Sequence, residues 1–225
     1  MNWTAPDNSG YSVSGSTSSA TNNTIFTLNG SDHLRGFDGN DALYSGGGND
    51  IVKGGDGDDT VSGDAGDDFL YGDYQHEATF ATGDDFIFGG SGDDYLFGAG
   101  GNDELNGGSD DDILEGGTGG DLLTGGSGAD EFRFDLGVEI NTFDQITDFV
   151  DGTDNLRLVD AGVNYTNVEI YDAALFSGVF GVPLDGAMVW SYNTAAPGNH
   201  FIYIEDLDES LLSFSTDTNG DFLIA

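Results

Sequence analysis

The chain has 225 residues, no cysteine, and only four lysines and arginines against 42 aspartates and glutamates. Without thiols there is neither a disulfide framework nor a thiolate metal site, and this absence alone neither requires nor excludes an oxidising compartment. A formal charge of −38 excludes an ordinary nucleic-acid surface, because phosphate contacts need lysine and arginine, and disfavours anionic membranes in the same way. Histidine is scarce as well. His33, His76 and His200 are scattered, which argues against zinc. No apolar run is long enough to cross a bilayer, so membrane insertion is not expected. Met1 to Ala20 has neither the basic start nor the apolar stretch of an N-terminal secretion signal.

Glycine and aspartate are in excess, and they recur in phase. From Thr27 to Arg133 a nine-residue unit repeats eleven times. Its sixth position is Asp32, Asp41, Asp50, Asp59, Asp68, Asp85, Asp94, Asp103, Asp112, Asp121 and Asp130. Its eighth is Leu34, Leu43, Val52, Val61, Leu70, Ile87, Leu96, Leu105, Leu114, Leu123 and Phe132, so one apolar side chain per unit points to a narrow shared interior. Its fourth is glycine in every unit but one, where Asp110 stands. Glycine reaches the positive φ of a tight loop, and aspartate is among the few other residues tolerated there. An acidic excess by itself describes a solvated or disordered tail, but aspartates locked to a period of nine do not fit that description.

These units resemble the GGxGxDxUx repeats of the RTX (repeats-in-toxin) family of calcium-binding proteins. The resemblance covers almost half the chain and implies an all-β fold, a right-handed parallel β-roll. Six residues of each unit would form a metal loop and three a short strand, so that two units complete a turn and successive loops fall on opposite edges. One edge would carry Asp32, Asp50, Asp68, Asp94, Asp112 and Asp130, and the other Asp41, Asp59, Asp85, Asp103 and Asp121. Sharing of one ion between neighbours on an edge implies about seven to nine calcium ions. The further oxygens would come from the backbone of the loop glycines Gly36, Gly39, Gly48, Gly54, Gly55, Gly57, Gly66, Gly83, Gly92, Gly101, Gly119 and Gly128.

Ligand chemistry agrees with calcium, a hard cation that takes six to eight oxygens in flexible geometry, whereas magnesium demands stricter geometry and retains water. Strand spacing would hold carboxylates of one edge roughly 4.8 Å apart. Each pair then repels by on the order of 1 kcal/mol even at the dielectric of water. Acids at the third and fifth positions, among them Asp38, Asp56, Asp58 and Asp67, add to this. Without metal the array should be disordered, so that metal binding and folding form one event.

The flanks divide the chain into residues 1–26, an arm or partial cap; 27–133, the roll; and 134–225, a β cap. Beyond Arg133, Asp144 to Phe149 and the segment with Gly152, Asp154, Leu156 and Leu158 are similar to the closing segment of RTX rolls, and should add one or two irregular turns. Asp148 and Asp154 are candidates for a terminal metal site. Ala187–Tyr192 and His200–Glu205 have the aromatic and β-branched content of paired strands. A cap is needed because the last turn of a solenoid exposes its apolar layer and its open edge. The ending Asp221-Phe222-Leu223-Ile224-Ala225 looks like that of type I secretion substrates, although an amphipathic strand has the same pattern.

Positions seven and nine should face outward. Along one sheet they place Ile51, Phe69, Tyr71, Tyr95, Phe97 and Ile113 in an apolar ladder. This is either covered by the N-terminal arm or the inserted loop, or used for self-association or for stacking on polysaccharide. The sixth unit is interrupted by Tyr74 to Thr82, with His76-Glu77 at its tip. No histidine follows three residues after Glu77, and there is no Gly-x-Ser-x-Gly elbow, so no protease or hydrolase motif is present. The expected function is that of a secreted, non-catalytic module at the cell surface or in matrix, exported by type I machinery and folded by calcium. The alternative is an accessory module that brings a separate hydrolase, lyase or epimerase to polysaccharide.

Overall fold

The computed structural model describes residues 2–4, 12–14, 21–73, 83–135, 142–150, 153–159, 165–172, 186–193, 198–205, 214–216 and 222–224. Tyr74–Thr82, with His76 and Glu77, and Gly152 lie outside them. The described residues form strands and turns without a helix.

Consecutive strands alternate between two sheets. One sheet holds β1 (Asn2–Thr4), β3 (Thr24–Phe26), β5 (Ala42–Tyr44), β7 (Thr60–Ala65), β9 (Phe86–Ser91), β11 (Glu104–Ser109), β13 (Leu122–Ser127) and β15 (Thr142–Ile146) in that order, then β19 (Gly198–Glu205), β18 (Gly186–Asn193) and β17 (Tyr165–Asp172). The other holds β2 (Ser12–Ser14), β4 (His33–Asp38), β6 (Ile51–Asp56), β8 (Phe69–Tyr71), β10 (Tyr95–Gly100), β12 (Ile113–Thr118), β14 (Glu131–Asp135) and β16 (Asn155–Val159), then β21 (Phe222–Ile224) and β20 (Phe214–Thr216). Every pairing up to β15 and β16 is parallel, and each joins a strand to the next but one. This is a parallel β-roll with two units per turn.

The reason lies in the alternation within each strand. Leu70 is fully buried while its neighbour Phe69 is 50% exposed, and the same in-and-out pattern recurs unit by unit. All eleven eighth-position residues are buried, so the two sheets face one another across a single file of aliphatic side chains. Ile25, Ile146 and Leu156 occupy the same file. The stack therefore extends beyond both ends of the eleven-unit register, from β3 before Thr27 to β16 after Arg133.

Ala187–Tyr192 and His200–Glu205 lie in β18 and β19, which pair antiparallel, while β19 stacks parallel on β15. Phe222–Ile224 of the C-terminal tail runs antiparallel to β16. The parallel ladders of both sheets are thus followed by antiparallel strands.

Candidate metal centre

Nine of the eleven loops are shaped by two left-handed residues, at positions two and four. At position four, Gly39, Gly48, Gly57, Gly66, Gly92, Gly101, Gly119 and Gly128 have φ between 114° and 158°, and Asp110 adopts 83°. Gly83, next to the insertion, is not in this region. Position two is left-handed as well, which its varied residues conceal: Gly55 is at 130°, but Phe37, Asp64 and Ala99 are forced to 79°, 71° and 86°.

The sixth-position aspartates of each edge form a continuous file. The backbone N–H of Asp32 donates to Asp50 Oδ1 at 2.7 Å, Asp50 to Asp68 at 2.8 Å, Asp68 to Asp94 at 2.8 Å, Asp94 to Asp112 at 2.9 Å and Asp112 to Asp130 at 3.0 Å. The other edge runs likewise from Asp41 through Asp59, Asp85 and Asp103 to Asp121. Both files have the membership and order expected from the period. Each continues one step further, Asp121 N–H donating to Asp144 Oδ1 at 2.8 Å and Asp130 N–H to Asp154 Oδ1 at 3.1 Å. At the start of the second edge, Asn23 takes the aspartate's place and donates its backbone and side-chain N–H groups to Asp41 Oδ1.

With Oδ1 turned to the backbone, most of these carboxylates leave Oδ2 without a hydrogen bond. The Oδ2 atoms of ten of them, Asp32, Asp41, Asp50, Asp59, Asp68, Asp85, Asp94, Asp103, Asp112 and Asp121, are buried without a hydrogen-bond partner. Orphaned buried oxygens are costly, and a column of them needs a cation or protons. Space for a cation exists beside them. A Cβ added at position one, on Gly36, Gly54, Gly63, Gly72, Gly89, Gly98, Gly107, Gly116 or Gly125, would collide with the Oδ2 of its own loop's aspartate. At Gly98 it would also lie 2.6 Å from the carbonyl oxygen of Gly116 in the next loop. Seven of these nine gaps, all but those at Gly116 and Gly125, thus gather a carboxylate oxygen and a backbone carbonyl around a point that glycine alone leaves open. No three acidic, histidine or cysteine side chains converge among the described residues, so the donor set is carboxylate plus backbone oxygen. That fits a hard cation such as calcium.

Two loops differ. Position one is Thr27 and Ser45 in the units of Asp32 and Asp50, and both side chains are buried. Thr27 Oγ1 donates to the Ser45 carbonyl at 2.6 Å and Ser45 Oγ to the Gly63 carbonyl at 3.2 Å. Hydroxyls stand here where the other loops are open.

Burial governs the electrostatics. It pushes Asp59 up to about 9 and Asp85, Asp103 and Asp121 to about 8, with the neighbouring aspartates adding to the rise and the backbone N–H donors opposing it. On the first edge Asp68, Asp94 and Asp112 reach about 7, and Asp50 and Asp130 about 6, for the same leading reason. At neutral pH the files without metal are caught between buried charge and protonation.

Asp148 and Asp154 are placed differently from the rest. Asp148 accepts the N–H groups of Gly125 at 2.9 Å and Gly126 at 2.8 Å through its two oxygens, and Asp154 Oδ2 accepts Val150 N–H at 2.7 Å. Both oxygens of each are thus engaged by backbone. Sequence reasoning missed Asp144, Asn23 and the position-one glycines beyond Gly36 and Gly54. The first two carried a legible signal, an aspartate or asparagine two residues before a buried aliphatic: Asp144 before Ile146, Asn23 before Ile25. It missed Asp73 too, which is buried at position two of the interrupted unit with Oδ1 unpartnered and is pushed by burial to about 7.

The apolar ladder is real as a row. Ile51, Phe69, Tyr95 and Ile113 are register partners on four adjacent strands, as are Tyr71 and Phe97 one step over. Their rings meet at tilted angles, with centroids 6.1 Å apart for Phe69–Tyr95 and 6.3 Å for Tyr71–Phe97. A second aromatic group occupies the other sheet, where Phe26 stacks on Tyr44 at 4.7 Å and Phe86 and Phe88 are exposed.

Compared with known families, the chain matches the RTX calcium-binding nonapeptide repeat in four copies, at residues 17–52, 44–73, 81–105 and 106–138, which together span just over half of it. Comparison with curated proteins returns no match. The chain belongs to the RTX calcium-binding nonapeptide repeat family, and its repeats build a calcium-binding β-roll.

Proposed function

We propose that this protein is a calcium-gated extracellular module, exported unfolded and folded by calcium outside the cell, with a structural or binding role and no catalytic one. The observation that supports it best is the pair of aspartate files whose Oδ2 atoms are buried without partners beside glycine-lined gaps. The ligands would be Oδ2 of Asp41, Asp59, Asp85, Asp103 and Asp121 on one edge and of Asp68, Asp94, Asp112 and Asp130 on the other, joined by loop carbonyl oxygens. One ion per glycine-lined gap makes nine. Asp32 and Asp50 fall outside this set, since Thr27 and Ser45 bridge their loops with hydroxyls.

Calcium, when bound, supplies positive charge and takes up the orphaned oxygens. The chain's own contribution is to prepare the donors: the N–H to Oδ1 bonds hold each carboxylate in one orientation, and the left-handed residues turn the loop about the gap. Nine ions would lower the net charge from −38 to about −20, enough to keep the folded roll soluble. Affinities of about 10⁻⁴ to 10⁻³ M, as in other extracellular calcium modules, would leave the chain unfolded in a low-calcium cytosol and folded outside. Members of this family are generally exported by type I secretion, which is in keeping with export before folding.

The test is a calcium titration of chelator-treated protein followed by circular dichroism and sedimentation velocity, with magnesium as control. A cooperative gain of β signal in calcium alone, with contraction of the particle, is the expected result. A β signal already complete in chelator would overturn the gating.

A further inference from the structure

The two sheets of the roll present four outward rows, formed by the seventh and ninth positions of their strands. The chain's only lysines and arginines, Arg35, Lys53, Arg133 and Arg157, all fall on one row, the ninth-position row of the ten-stranded sheet. Between the two pairs of cations the same row carries Tyr71 and Phe97, followed by Glu115. The sequence spreads these residues over more than a hundred positions, and only the stacking brings them into line. The matching row of the other sheet carries Phe26, Tyr44, Ser62, Phe88, Asn106 and Thr124, without a cation.

Support of the metal edges does not account for this placement. At Asp59, Asp85, Asp103 and Asp121 the shifts come from burial, backbone N–H groups and neighbouring acids and not from a lysine or arginine. The cations engage the sheet face instead. Lys53 Nζ lies 4.6 Å from the centre of the Tyr71 ring, and Arg133 and Arg157 both ion-pair with Glu131 on the neighbouring seventh-position row.

We infer that this row is a docking strip for an acidic polysaccharide, whose sugar rings stack on the central aromatics while its carboxylates or sulfates meet the cations at either end. Seven strands at about 4.8 Å give a strip of about 29 Å, and each step is close to the length of one sugar unit in an extended chain. A linear polymer with a ring and an anion at regular intervals matches a surface built on a regular interval, which an acidic globular protein does not. The occupant must be anionic to select this row over the row of the opposite sheet, which has three aromatics to this row's two but no charge. This proposal rests on the roll being folded in calcium, which the experiment checks separately.

The experiment is calorimetric titration of the full chain in calcium with oligosaccharides of hyaluronan, chondroitin sulfate and polygalacturonate, and with neutral cello-oligosaccharides. Circular dichroism is recorded on every sample. At least one acidic sugar should bind, the neutral ones should not, and raised salt should weaken the complex. Arg35→Gln combined with Lys53→Gln should cost about tenfold in affinity, as expected for two exposed ion pairs, with the β signal in calcium unchanged. Phe97→Ala should weaken the same complex without altering its salt dependence. Failure of every acidic sugar to bind, equal binding of neutral ones, or indifference to the charge variants would overturn the proposal. Calcium-dependent self-association lost in those same variants would assign the face to a second copy and overturn it too. A flat dichroism titration before any sugar is added would refute the folding reading, and the strip with it.

Discussion

Replacing Asp103 by asparagine should change stability in opposite directions with and without calcium. The substitution preserves volume and keeps an oxygen to accept the Asp85 N–H, now 2.8 Å from Asp103 Oδ1. It exchanges the orphaned Oδ2, beside the Gly98 gap, for a neutral amide. In calcium one ligand charge is lost from a buried contact, which should cost on the order of 3 kcal/mol, remove about one ion from the bound count and raise the folding midpoint. In chelator the sign reverses. Burial holds the Asp103 carboxyl up at about 8 in the fold, from an ordinary value of 3.8. At pH 7.5 the metal-free roll must therefore protonate it or bury its charge, a penalty of on the order of 3 to 5 kcal/mol that asparagine avoids. Chelator competition reads the ion count, melts in calcium read the stability with metal, and the β signal gained on lowering pH in chelator reads the stability without it. A loss of similar size in both conditions would refute the reasoning, because Asp103 would then be a packing residue and not a ligand.

Adjacent residues should respond oppositely to exchange of glycine and alanine: Gly98→Ala fills the gap and should lower calcium stoichiometry and stability by about 1 to 3 kcal/mol, whereas Ala99→Gly relieves a φ of 86° and should stabilise by about 1 kcal/mol, both read from melts in calcium. For pH, the folded-state values of the edge aspartates, about 6 to 9, lie above the unfolded 3.8, so their protonation stabilises the metal-free roll fully below 3.8 and that contribution is lost as pH rises through 6 to 9. Lowering pH from 8 to 5 in chelator should thus increase β signal, whereas calcium binding near neutrality starts from an unfolded chain with ionised carboxylates and should exchange few protons, measurable as a calorimetric enthalpy independent of buffer. Changing Tyr95 and Phe97 to serine should leave the melting temperature in calcium nearly unmoved and abolish any association through that face, while a large thermal loss would show that the face is covered within the chain.

Much of the roll was legible because period and burial coincide. A unit of nine with aspartate at six and an aliphatic at eight places every metal edge and the whole core, since the strand alternation leaves those side chains no other side to face. The closing turns were less legible. Asp144 and Asp154 keep the spacing of aspartate to aliphatic but lose all the loop glycines except Gly152, so the signal survives in a few residues out of nine. Position two was hidden for the opposite reason: Phe37, Asp64 and Ala99 adopt a glycine-like φ in register with Gly55, Gly90 and Gly117 of the next turn, against their own preference.

Sequence alone determined the chemistry, oxygen donors in a repeated loop without a competing thiol, and with it the class of ion and the layered architecture. Only the stacked structure decided which atoms are left over. Oδ1 is consumed by the backbone of a loop 18 to 26 residues away, so Oδ2 and not the carboxylate as a whole faces the gap. Stacking likewise turned four isolated cations into one row, because residues two units apart in sequence become neighbours only when parallel strands lie side by side.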